Sequence, residues 1–179
     1  MVNFKEIDIS WTLFLDRDGV INKKLDNDYV KTINEFEFLP FAEESIAAFS
    51  NIFGRIIIVT NQQGIGKGLM TEADLMSVHQ HLKNKIMLSN GRIDAIYHAP
   101  KLASENSSMR KPNIGMALKA KENFPAIDFN KSIMVGDSVS DMLFAENAKM
   151  KKVFISKEKN TPYLSVDSLA DFYKLIIEK

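Results

Sequence analysis

The sequence contains no cysteine, which excludes disulfides, thiolate metal sites and a cysteine nucleophile together. No apolar run approaches the roughly 18 residues that would mark a membrane-spanning helix. The first apolar run, Leu13–Leu15, follows Lys5, Glu6 and Asp8, unlike the charged-then-apolar order of a secretory leader. No membrane partner and a cytoplasmic location are therefore expected. Charge of one sign is lacking as well, since 23 Lys and Arg balance 23 Asp and Glu. Without a global positive field no nucleic-acid partner is expected, and any anion must be bound by a local site. Arginine occurs only at positions 17, 55, 92 and 110.

What remains is the balance of a globular chain: 179 residues, 45% hydrophobic and 26% charged. That length fits one domain over 1–179 with one substantial core. Short apolar runs at Thr12–Leu15, Ile56–Val59, Ile93–Tyr97, Ser132–Val135 and Lys152–Ile155 read as strands buried on both faces. Helices are predicted at Phe41–Phe49 after Pro40, from Thr71 through Leu88, and at Pro112–Asn123, Ser138–Glu146 and Asp167–Ile177. Thr71 with Asp74 resembles a capping box, Gly91 is a stop, and Asp167 or Ser168 is an N-cap. Alternating strands and helices predict a three-layer α/β/α sandwich around a five-stranded, mainly parallel Rossmann-like sheet. The segments Asn22–Phe38 and Ala99–Lys111 are long for connections, a length at which loops often carry function.

Four segments at predicted strand ends or helix starts carry the chemistry. Asp16-Arg17-Asp18-Gly19 places two carboxylates past the first strand, where repulsion calls for a cation or a shared proton; taken alone, it also reads as an Asx-turn. Thr60-Asn61-Gln62-Gln63-Gly64-Ile65-Gly66 supplies donors and close backbone approach for an anion. Its third glycine, Gly68, comes too early for a dinucleotide fingerprint. Arg110-Lys111-Pro112 places cations before a helix, although a solvated lysine is the commoner state. Gly136-Asp137-Ser138-Val139-Ser140-Asp141 doubles as a helix cap with a first-turn acid. If the first and fourth strands are neighbours, Asp16, Asp18 and Asp137 converge at the switch point of the sheet. Oxygen donors without cysteine favour a hard cation such as Mg2+.

In this order, the four segments make up the motif set of the haloacid dehalogenase superfamily of phosphohydrolases, which the chain resembles from about Thr12 to Ile155. D-R-D-G-V-I-N at Asp16–Asn22, V-T-N-Q-Q-G-I at Val59–Ile65 and R-K-P at Arg110–Pro112 are most similar to one branch. That branch holds the D,D-heptose 1,7-bisphosphate and histidinol-phosphate phosphatases. Tyr29-Val30, Phe36–Phe38 and Gly68–Ala73 also resemble the heptose enzymes. Two departures stand out. The cysteine-rich zinc clip of many members is missing: Ala99-Pro100-Lys101 and Ser107-Ser108-Met109 occupy its stretch. Ser138 stands where the heptose enzymes often carry lysine.

The resemblance implies Asp16 as nucleophile and Asp18 as acid and base. It implies Mg2+ held by the Asp16 carboxylate, the Asp18 main-chain carbonyl and Asp137, with no zinc. Thr60 and Lys111 would donate to the phosphoryl oxygens, and Asn61, Gln62, Gln63 and Arg110 would recognise substrate. Asp141 would brace the loop or Lys111. With no large insertion for a cap domain, the site would be open. His79 and His81, on different helix faces, are expected in solvent, with His98 at the mouth. The implied activity is removal of the 7-phosphate of D-glycero-D-manno-heptose 1,7-bisphosphate through an aspartyl-phosphate, by a monomer. Histidinol phosphate, a polynucleotide 3′-phosphate (from the similar T-N-Q-x-G-I-G loop) and a receiver-like phospho-aspartate switch are the alternatives. Asp18 speaks against the switch, because a second carboxylate speeds loss of the phosphate.

Overall fold

Apolar runs buried on both faces form the centre of the sheet, whereas the runs expected at Ile93–Tyr97 and Lys152–Ile155 give strands that are mostly half-buried. The computed structural model of the protein describes residues 4–158 and 160–178. In chain order the elements are β1 (Thr12–Leu15), α1 (Ala42–Phe49), β2 (Arg55–Asn61), α2 (Glu72–Leu88), β3 (Ala95–Ala99), α3 (Gly115–Asn123), β4 (Ser132–Gly136), α4 (Val139–Asn147), β5 (Lys151–Ile155), β6 (Ser165–Val166) and α5 (Leu169–Ile177). The sheet has six strands in the order β3-β2-β1-β4-β5-β6, and every pairing is parallel. The sixth, β6, adds to the five expected. It is a two-residue strand beside β5, too short to show a pattern in sequence.

Alternation along the strands splits the core into two layers. Leu13, Leu15, Ile56, Ile58, Ile133 and Val135 pack against Ile46 and Phe49 of α1, Leu82 and Ile86 of α2, and Phe172 and Ile176 of α5. Phe14, Ile57, Val59 and Met134 face Met116, Ala117 and Ala120 of α3 and Phe144 of α4. The result is the expected three-layer sandwich. Each fully buried Leu, Ile or Phe contributes roughly 1.5–3 kcal/mol.

Several boundaries differ from expectation for local reasons. The helix expected from Pro40 begins at Ala42, behind Phe41 in a left-handed conformation (φ 61°). The helix expected from Pro112 begins at Gly115, because Gly115 N–H donates to Ser108 C=O at 2.9 Å and Asn113 N–H to Arg110 C=O at 2.8 Å in a turned loop. After α2 the left-handed residue is Asn90 (φ 60°), and Gly91 is needed because a Cβ there would lie 2.8 Å from Ile86 and 3.1 Å from the Ala47 backbone.

Between β1 and α1 the chain makes a flap. Asn22 bridges both Asp18 and Phe38, while Val30 and Phe36 are buried in the core. Among the described residues this flap and the segment after β3 carry only short 3-10 turns, at Ile33–Glu35 and Ala103–Glu105. No described helix is long and apolar enough to cross a membrane.

The start of α2 is fixed by the capping box the sequence predicts: Asp74 N–H donates to Thr71 Oγ1 at 3.1 Å, and Thr71 N–H to Asp74 Oδ2 at 2.8 Å. Thr71→Ala should lower unfolding stability by about 1 kcal/mol. In urea titration the midpoint should fall at constant slope; an unchanged midpoint would show that the cap contributes nothing.

Candidate active site

Parallel register aligns the strand ends. Leu15 pairs with Ile58 on one side and Val135 on the other, and Asp16 N–H donates to Val135 C=O at 2.9 Å. Asp16, Thr60 and Asp137 therefore leave the sheet along one edge, beside the β1/β4 neighbourhood expected from the sequence. The chain then turns sharply, with the Arg17 carbonyl accepting from Ile21 at 2.8 Å and Asn22 at 3.1 Å. Gly19 (φ +84°) lies so close to Asp137 that a Cβ would sit 2.2 Å from its Oδ2. Only glycine fits there.

Lys111 ties the edge together. Its ammonium lies 2.9 Å from Asp16 Oδ1 and 2.6 Å from Asp141 Oδ1 and donates to the Val59 carbonyl at 2.8 Å. These three oxygens surround the ammonium, and the lysine side chain is 1% exposed. Burial lowers the lysine's proton affinity, but Asp141 and Asp16 outweigh it and hold the ammonium above its usual range. Burial, then the Asp141 charge, pushes Asp16 up to about 7 against the opposing pull of Lys111. Asp141 is the brace expected: its other oxygen accepts from Ser138 N–H at 3.0 Å and Ser138 Oγ at 2.6 Å. Asn61 locks the same loop, accepting from Lys111 N–H at 3.0 Å and donating to its carbonyl at 3.2 Å.

Asp18 faces a second group of donors. Its carboxylate accepts from Arg17 Nη2 at 2.9 and 3.0 Å, Asn22 Nδ2 at 2.9 Å and Gln62 Nε2 at 2.8 Å. Burial raises its proton affinity, but Arg17, Asn22 and Gln62 outweigh burial and hold the carboxyl below its usual range. Here the structure corrects the expectations for Gln62 and for the histidines. Gln62 is fully buried, donating to Asp18 and to Thr60 Oγ1 at 2.9 Å, so it orients the site rather than lining it. His79 is buried rather than solvated; Arg17, 62 residues away in sequence, claims it at 3.2 Å. His81 packs edge-on against Phe36, and His98 pairs with Glu72 at 2.8 Å instead of lining the cavity.

The cavity above the edge has a volume of about 530 Å³, and Asp16, Asp18, Thr60, Asn61, Gln63, Arg110, Lys111 and Asp137 line it. Lys24, Tyr29 and Lys67 line it too. Neither lysine belongs to a motif that the sequence marks. Lys67 lies among the glycines of the Thr60 loop and sits 5.2 Å over the Tyr29 ring; Lys24 reaches from the flap to Asp137 Oδ2 at 2.8 Å. Their signal was position inside segments already marked as functional.

One oxygen each from Asp16, Asp137 and Asp141 lies within 4.8 Å of the others. Asp141 Oδ1 and Asp137 Oδ1 are both buried without a hydrogen-bond partner, but Asp141 Oδ1 lies 2.6 Å from the Lys111 ammonium while the Asp137 ion pair, with Lys24, uses Oδ2. An orphaned carboxylate oxygen among hard donors fits Mg2+. Arg110 Nη1 is likewise buried without a partner, and it fits a second anion.

Residues 8–162 match the family model described as polynucleotide kinase 3 phosphatase. A D-glycero-alpha-D-manno-heptose-1,7-bisphosphate 7-phosphatase from Mycobacterium bovis is 40% identical over 137 residues, covering 76% of this chain and 72% of that protein. A D-glycero-beta-D-manno-heptose-1,7-bisphosphate 7-phosphatase from Pasteurella multocida is 32% identical, covering 92% of this chain and 95% of its own. The solved structure of D,D-heptose 1,7-bisphosphate phosphatase from B. bronchiseptica, complexed with magnesium and phosphate, superposes with a TM-score of 0.82. It is 25% identical and covers 94% of this chain and 98% of its own.

The raised Asp16 has a consequence for metal-free stability. Between its unfolded value of 3.8 and its folded value of about 7, the folded protein holds a proton that the unfolded chain has lost. This group's contribution therefore falls as pH rises through that window. In EDTA, Asp16→Asn should flatten the decline of Tm between pH 4 and 7 relative to wild type. Parallel curves would show that Asp16 is not the group responsible.

Proposed function

The chain belongs to the haloacid dehalogenase-like family of D,D-heptose 1,7-bisphosphate phosphatases, and from that premise we propose that it is a Mg2+-dependent phosphatase removing the 7-phosphate of D-glycero-D-manno-heptose 1,7-bisphosphate. One observation carries the reading. Asp16, held by the Lys111 ammonium that Asp141 braces, shares one cavity with Asp18, so nucleophile and acid–base partner flank the same space.

Asp16 attacks phosphorus, and the bond from phosphorus to the sugar oxygen breaks. The departing alkoxide takes a proton from the Asp18 carboxyl. Water then attacks the phosphorus of the aspartyl-phosphate and gives its proton to Asp18, releasing phosphate and restoring Asp16. Asp18 rests in the ionised form that this second step requires and takes up a proton before the first. Thr60 and Lys111 donate to the phosphoryl oxygens, the lysine exchanging a present contact to do so. Mg2+, held by Asp16, Asp137 and the Asp18 main-chain carbonyl, would offset repulsion between anionic nucleophile and anionic substrate.

Substrate choice rests on the other cations. Lys111 serves the transferring phosphate; Arg110, with its unpartnered Nη1, and Lys67 at the cavity wall suit a second anion. Cationic histidinol phosphate is disfavoured beside them. The family model's name favours a polynucleotide 3′-phosphate, but zero net charge provides no general field for a nucleic acid. Asn61, Gln63 and Arg110 are the substrate-facing groups.

The loop before Pro112 is closed by its own bonds: Asn113 Nδ2 donates to the Ser107 carbonyl at 3.0 Å and Leu102 N–H to Glu105 at 2.7 Å. These bonds support a loop that closes without zinc. A zinc-selective chelator should leave Tm and activity unchanged, while EDTA stops turnover and Mg2+ restores it. Stoichiometric zinc in the purified protein would contradict this.

Asp16→Asn should lower turnover at least about 10³-fold while circular dichroism stays native. With wild type, kcat/KM should be highest for a heptose 1,7-bisphosphate anomer, ahead of histidinol phosphate and a 3′-phosphorylated oligonucleotide. Arg110→Ala should lower that value about tenfold or more, the loss of a charged hydrogen bond. A tenfold advantage for either competitor would overturn the heptose assignment and leave the phosphatase chemistry standing.

A further inference from the structure

The reaction above leaves one buried titratable pair unused. Arg17 is fully buried, and a buried guanidinium must have its donors met. Nη2 and Nε serve Asp18, at 2.9–3.3 Å. On the other side Nη1 meets His79 Nε2 at 3.2 Å. Arginine only donates, so His79 Nε2 accepts and the ring hydrogen sits on Nδ1. Burial and the Arg17 charge push the imidazole down to about 3, so it stays a neutral acceptor across the working range of pH. His79 is fixed in turn by α2, whose neighbouring Val78 and Leu82 are in the core. The His98 ring, itself tied to Glu72, packs edge-on against it. The catalytic carboxylate is thereby anchored, through one arginine, to a helix that contributes no residue to the chemistry.

Given Asp18 as the base of the second step, we infer that His79 is a positioning residue: by fixing Arg17 it keeps the Asp18 carboxylate aimed at the water that hydrolyses the aspartyl-phosphate. Without the acceptor on α2, Nη1 of the buried guanidinium is left unpaired and Arg17 loses its anchor, so Asp18 keeps Asn22 and Gln62 but loses the fixed arginine side of its cradle. In that step the water's O–H proton passes to Asp18, its oxygen bonds to phosphorus, and the electron pair of the breaking P–O bond returns to Asp16. Formation of the aspartyl-phosphate from an activated ester needs no proton from Asp18, because nitrophenolate leaves unaided. The two half-reactions therefore separate.

The test uses full-length, Mg2+-loaded protein with 4-nitrophenyl phosphate. His79→Leu should give a burst near one nitrophenolate per active site, followed by a steady rate at least about tenfold below wild type. Because only the step after phosphorylation slows, kcat and KM should fall together while kcat/KM is retained, a pattern that loss of folded protein does not produce. His79→Gln, whose amide oxygen replaces the Nε2 acceptor, should recover most of the loss. Asp18→Asn serves as the control. If it accumulates phosphoenzyme and His79→Leu does not, the positioning role is wrong and the reading of Asp18 survives. If neither accumulates phosphoenzyme, both are wrong. A proportional fall of kcat and kcat/KM without a burst, or no rescue by His79→Gln, would also overturn the inference.

Discussion

One ammonium holds two buried carboxylates at the edge of the sheet. Asp16 leaves β1, Asp141 sits in the first turn of α4, and Lys111 arrives from the loop before α3 to lie within 2.9 Å of both. Two such acids cannot share a low-dielectric site unaided. Removing one member of a buried ion pair typically costs about 3–5 kcal/mol, since the other charge is left uncompensated. The constraint therefore fixes three segments distant in sequence, and with them the cavity floor. Asp16 is held in place yet remains electrostatically unsatisfied, as its raised proton affinity records. A nucleophile in that state favours a further positive charge, and the orphaned Asp137 Oδ1 points to the same need.

Around this knot the site divides its labour. Asp16 belongs to a network that raises proton affinity; Asp18, two residues on, belongs to one that lowers it. In the metal-free site this order is the reverse of the proposed roles, since a raised carboxyl ordinarily serves as the acid; a cation beside Asp16 and Asp137 would favour the ionised Asp16 that attacks. Gly19 and Gly136 keep the networks compact, since a Cβ at either would strike Asp137 or Asp141 at 2.2 Å. The flap, the loops after β2 and β3 and the start of α4 line the cavity. That geometry suits a substrate whose phosphate enters while its sugar stays near the mouth.

Much of this was legible in the sequence. Short apolar runs mark β1, β2, β4 and β5, and three of the four motifs begin where such a run ends, which places them on one sheet edge; Arg110-Lys111-Pro112 instead precedes a helix. What stayed hidden depended on partners far away. Arginine is usually exposed and histidine of intermediate burial, and nothing local signals that Arg17 and His79 bury each other. Gln62 looked like a substrate group because its loop is one; its burial follows from the position of Asp18. The start of α3 was misplaced because Pro112 suggests a first turn, whereas the loop's bonds to Ser108 delay the helix to Gly115. Strand β6 exists only by pairing with β5, and two residues carry no period.

The covalent step at Asp16 is open to direct chemical capture. Acid quenching during turnover of heptose 1,7-bisphosphate, followed by borohydride reduction, converts an acyl phosphate of aspartate to homoserine. Peptide mass spectrometry of the quenched protein should find homoserine at position 16 and leave Asp18, Asp137 and Asp141 unchanged. Steady phosphate release with no homoserine at position 16, or with homoserine at another aspartate, would contradict Asp16 as the nucleophile.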